Sequence, residues 1–148
     1  MNAQYEGCDP ILCANLFRKV DANLIQLLHS LTPGEWDFQT VSAKWKVRDV
    51  AAHLLDSALR KLSIVRDSAY VEAVETPTPH DVVMMVNRLN AEGVSVYRRL
   101  SPSLLIDMMK LACEQSAQFH ESLDPFAPAA FAVSWAGGGI PKLVRYGP

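Results

Sequence analysis

Apolar residues recur at alternating spacings of three and four in four separate stretches of the chain, a rhythm that an α-helix turns into a single stripe. The first stripe is Cys13, Phe17, Val20, Leu24, Leu27 and Leu31, and the second is Val47, Ala51, Leu54, Ala58, Leu62 and Val65. Val82, Val86, Leu89, Gly93, Val96 and Leu100 make the third, and Leu105, Met109, Ala112, Ser116, Phe119 and Leu123 the fourth. Local signals sharpen the ends. Asp9-Pro10, Thr78-Pro79-His80-Asp81 and Ser101-Pro102 each put a side-chain acceptor ahead of a proline, which suits a helical first turn. The spacing predicts helices near residues 10–31, 47–67, 79–100 and 102–123, each about 21 residues or roughly 32 Å long. Four amphipathic helices of matched length with little strand signal predict one all-α domain, a four-helix bundle spanning 1–148.

The connections add detail. Leu100-Ser101-Pro102 joins the third and fourth helices almost directly and predicts a tight antiparallel hairpin between them. Residues 32–46 form a longer connection bracketed by Trp36 and Trp45, which are expected to anchor it to the bundle. Gly93 interrupts an otherwise unbroken seam at a helix cost of about 1 kcal/mol, which points to an unusually close neighbouring helix or, less favoured, a pocket beside it. After Asp124 the pattern breaks at Pro125, Pro128 and Gly137-Gly138-Gly139, so residues 124–148 read as a short irregular tail. The glycines have no following helix to receive a phosphate and are not a nucleotide loop.

Composition excludes several classes. Net charge is −2 with both signs interspersed, so no electrostatic footprint for nucleic acid exists. No stretch approaches the ~18 consecutive apolar residues of a membrane span. Cys8, Cys13 and Cys113 lack metal-site spacing and read as thiols in a reducing cytosol. With no secretory start at the N-terminus, the expectation is a cytoplasmic protein.

Leu31-Thr32-Pro33-Gly34-Glu35-Trp36, followed by Trp45-Lys46-Val47-Arg48-Asp49-Val50-Ala51-Ala52-His53-Leu54, resembles the N-terminal domain of mycothiol-dependent maleylpyruvate isomerases, within the DinB-like superfamily. Leu89-Asn90-Ala91-Glu92, Leu123-Asp124-Pro125 and Val133-Ser134-Trp135-Ala136-Gly137 follow in register. The resemblance implies a divalent metal, usually zinc, held by a second-helix histidine, here His53, and by a Glu-x-x-x-His pair on a later helix. It also implies thiol-dependent transfer or isomerisation. Residues 125–148 contain no histidine, aspartate or glutamate, so the domain reads as cut short before its ligand-bearing helix, with His53 the remaining family ligand.

His53 is expected beside the seam, its second nitrogen oriented by Asp49 or Asp56. His29 and His120, near helix C-termini, read as dipole partners, and His80 as solvated. No catalytic or cofactor-binding residue can be assigned. Two readings follow. In one, the bundle is a non-catalytic, dimeric module with a small-molecule pocket and no cofactor. In the other, it is a metal- and thiol-dependent transferase or isomerase whose missing ligands come from another chain. Phe131, Val133, Trp135, Ile140 and Leu143 in the tail add apolar surface for a homodimer to cover. The tail composition favours the first reading and the resemblance favours the second.

Overall fold

A computed structural model of the chain describes residues 12–69 and 78–124. Within them the chain forms four helices: α1 (Leu16–Ser30), α2 (Val47–Lys61), α3 (Pro79–Tyr97) and α4 (Pro102–Ser122). The architecture is the expected all-α four-helix bundle. The Asp9-Pro10 start signal and the tail after Asp124 lie outside the described residues.

The predicted caps of α3 and α4 form as read. Thr78 accepts from the Asp81 amide at 3.2 Å while Asp81 accepts from the Thr78 amide at 3.1 Å. Ser101 accepts from the Leu104 amide at 3.3 Å, with Pro102 as the first helical residue. Two boundaries differ from the periodicity. α1 begins at Leu16, not near residue 10, and Leu12 and Cys13 ahead of it are exposed. α2 stops at Lys61 and continues as one π-helical turn, Leu62–Arg66, where a wider ring replaces the α-helical one.

The core is built from Leu28 of α1, Trp36 of the first connection, Ala51, Ala52 and Leu55 of α2, and Leu105, Ile106, Met109 and Ala112 of α4. The predicted seam of α4 is the buried one through Ser116. The predicted seam of α2 is buried at Ala51 and Leu62 and that of α1 packs inward at Leu24 and Leu31, but in each helix part of the buried face lies one residue further round. Leu28 is buried while Val20 and Leu27 are exposed, and Leu55 is buried while Leu54 is 37% exposed. One residue is 100° of helix, so apolar side chains at both positions make a wide arc, and the neighbours select which part of it faces inward.

α2 packs against both α3 and α4, and α4 packs against α1. The chain does turn sharply between α3 and α4, but α3 lies along α2 and the expected α3–α4 hairpin packing does not form. Polar couplings explain the choice of partner. Asp49 of α2 lies 3.1 Å from the Arg98 guanidinium, and Arg60 of α2 donates to Asn90 of α3 at 2.6 Å. Between them, Gly93 faces Asp56, and a Cβ at that position would fall on the Asp56 carboxylate. The glycine in the seam is therefore a close approach of two helices.

The connection 31–46 closes one end of the bundle. Glu35 accepts from both the amide and the hydroxyl of Thr32 at 2.7 Å and shapes the turn that inserts Trp36 into the core. Val47 donates to the Phe38 carbonyl at 3.0 Å and Thr40 to the Trp45 carbonyl at 3.2 Å, pinching the loop so that Trp45 folds back over α2. No helix among the described residues is long and apolar enough to cross a membrane.

Candidate functional site

His53 follows Ala52 and precedes Leu54 in the middle of α2, two residues and therefore 200° from the buried Leu55. It consequently sits on the outward face of the helix. Trp45 partly covers it, the ring centroids lying 4.8 Å apart at 43°. One turn along, the Ser57 hydroxyl is 3.5 Å from Nδ1. Partial burial lowers the pKa of the imidazole, and the Arg60 charge lowers it further against an opposing effect of Asp56. His53 is held neutral at neutral pH, the form able to ligate a metal or accept a proton.

The carboxylates expected to orient it are committed elsewhere. Asp49 Oδ2 accepts from the Lys46 amide at 3.0 Å, closing the N-terminus of α2, while Oδ1 faces Arg98. Asp56 is gripped by Arg60 at 2.7 Å on the side of α2 that meets α3. Ser57 and Trp45, rather than Asp49 or Asp56, are the neighbours of the His53 ring. Among the described residues no group of three His, Cys, Asp or Glu side chains stands close enough to hold a metal ion. A catalytic zinc needs about three protein ligands. The described residues do not fit the metal that the resemblance implies.

Ser57 is also the edge of a groove. Between α1, α2 and α4 lies a groove of about 290 Å³, lined among others by Phe17, Leu24, Leu54, Met109, Cys113 and Ser116. Asp21 and Lys61 both line it. The Lys61 ammonium stands 5.6 Å from the centre of the Phe17 ring, whose other neighbour, His120, stacks on it at 4.1 Å. His120 Nδ1 lies 2.6 Å from the Ser116 carbonyl, so this histidine is a packing and helix-end group, in keeping with its place in the last turn. His29, also in a last turn, and His80 are both exposed.

Burial lowers the Lys61 pKa, with Asp21 and Cys113 pulling the other way. The Cys113 thiol is pushed up to about 12, mainly by burial and then by the charge of Asp21, to which it donates a hydrogen bond. It is therefore a protonated thiol at neutral pH and no nucleophile. A second hollow of about 300 Å³ lies on the other side of the Asp21–Cys113 contact, where Arg18 binds Glu114 and Glu121 at 2.7 Å.

His53 stands out in the sequence only through the family resemblance, and the groove does not stand out at all. The available signal was polar residues beside or within apolar stripes: Asp21 one turn from Phe17, and Lys61 between Ala58 and Leu62.

A family model described as mycothiol maleylpyruvate isomerase N-terminal domain matches residues 17–144. No curated protein and no solved structure matches the chain.

Proposed function

Because the chain belongs to the mycothiol maleylpyruvate isomerase N-terminal domain family, we propose that it is a DinB-like helical module that binds a small molecule in the groove between α1, α2 and α4. In this reading the residues present here do not by themselves perform the metal- and thiol-dependent chemistry of the maleylpyruvate isomerase type. The observation that carries it is the company His53 keeps: an indole and a hydroxyl, with both nearby carboxylates paired to arginines. A partly built metal site binds poorly because each missing ligand leaves both geometry and charge unsupplied.

Purified protein is expected to carry no stoichiometric zinc or nickel, before or after equilibration with the metal and dialysis. Elemental analysis checks this. About one metal per chain, abolished in His53→Ala, would overturn the reading in favour of the transferase or isomerase whose remaining ligands come from another chain. The neutral state of His53 is what that alternative would require.

The same module is expected to self-associate. Leu16, Val20 and Leu27 project from one flank of α1 at spacings of four and seven, all more than half exposed. Contiguous apolar surface of a few hundred Å² is unusual on a soluble monomer, and a second copy related by a two-fold axis is the simplest cover. Sedimentation at micromolar concentration is expected to give a dimer, and Val20→Glu with Leu27→Glu to give a monomer. A wild-type monomer across that range would remove the partner from this proposal.

A further inference from the structure

The groove contains a charge pair that does not close. Asp21 and Lys61 line the same cavity and influence each other electrostatically, yet no carboxylate among the described residues lies within salt-bridge reach of the Lys61 ammonium. The other two part-buried cations among the described residues each have a carboxylate within ion-pair distance: Arg48 lies 3.1 Å from Asp37 and Arg60 lies 2.7 Å from Asp56. Lys61 instead rests near the face of Phe17, which offers a weaker attraction than a carboxylate. A half-buried ammonium short of a counter-charge is held at a cost that a ligand can relieve.

We infer that this groove binds an α-amino acid with a large apolar side chain, its carboxylate on Lys61, its ammonium on Asp21 and its side chain against Phe17, Leu54 and Met109. The inference rests on the small-molecule reading above and names the ligand class for the same groove. A simple carboxylate would meet Lys61 but be repelled by Asp21, and a simple amine would meet the reverse. Only a zwitterion answers both charges, and the apolar walls ask for a hydrophobic body beside them. The volume of about 290 Å³ stands at the small end of ligand pockets, which run to roughly 300–1,000 Å³, and so suits a single amino acid. Ser57 and Ser116 also line the groove and bring neutral hydroxyl groups to it. The π-helical turn that begins directly after Lys61 is a further pointer, since such turns concentrate at functional sites.

Calorimetric titration of the full chain with L-phenylalanine, 3-phenylpropionate and phenethylamine separates the charges while holding the aromatic body constant. L-phenylalanine is expected to bind roughly tenfold or more tightly than either partial analogue, since each charge-assisted contact is worth at least that factor. Lys61→Met and Asp21→Asn are each expected to remove that advantage, and Lys61→Arg to retain most of it. Circular dichroism of each variant separates lost binding from lost folding. Equal binding of all three probes, or of L-phenylalanine by wild type and Lys61→Met alike, would overturn the zwitterion while leaving a small-molecule groove in place. Silence from all three probes at millimolar concentration would overturn both.

Discussion

Gly93→Ala is expected to destabilise the protein by about 2 kcal/mol, although helix propensity alone would make it a gain of about 1 kcal/mol. The reason is the contact between α2 and α3. A methyl group at position 93 would land on the carboxyl carbon and both oxygens of Asp56. Asp56 has little freedom to yield, because it is buried and bound to Arg60, which in turn donates to Asn90. Either the helices move apart, with loss of packing along their length, or the carboxylate swings away and leaves a guanidinium without its partner. Urea unfolding monitored by circular dichroism gives the sign directly. Pairing Gly93→Ala with Asp56→Ala makes the mechanism testable, since the double variant is expected to lose less than the sum of the two single losses. A stabilised or neutral Gly93→Ala would mean that the two helices are not in contact at this point.

Trp36→Ala is expected to cost about 3–5 kcal/mol, the usual range for removing a buried aromatic side chain, and to lower the melting temperature by roughly 10 °C or more. Trp36 is only 3% exposed and belongs to the same core cluster as Leu28, Leu55 and Leu105. Its burial ties the connection 31–46 to the core, chiefly against α2. Its loss would leave a void in that core and would also release the loop that carries Trp45 onto His53. Trp45→Ala makes the contrast, because Trp45 is only part-buried and touches the outer face of α2. It is expected to cost far less stability while increasing the exposure of the His53 ring. Thermal unfolding of the two variants side by side checks the ranking, and similar melting points would place Trp36 outside the core.

The two substitutions show how differently the fold depends on local and distant information. Periodicity, caps and breaks are written in residues a few positions apart, so the sequence by itself determined the number, order and type of the helices. It also determined the capping of α3 by Thr78 and Asp81, the start of α4 at Ser101-Pro102, the anchoring role of Trp36 and the close approach at Gly93. The caps depend on hydrogen bonds between residues a few positions apart, whereas Trp36 and Gly93 are single-residue signals whose partners the fold supplies.

The inward side of α1 and α2 was a different matter. α1 carries leucine at 24, 27 and 28 and α2 carries it at 54 and 55, so each has an apolar arc wider than one seam. Propensity is indifferent to which part of that arc is buried, and only the surfaces of the neighbouring helices turned Leu28 and Leu55 inward. The partner of α3 was likewise decided at long range, by Asp49 with Arg98 and by Arg60 with Asn90 across two helices. The meeting of Asp21, Lys61 and Cys113 in one groove needed α1, α2 and α4 to be assembled first, since these residues lie far apart along the chain and no local rule links them. Local interactions chose the helices, and packing chose their faces, their partners and the groove between them.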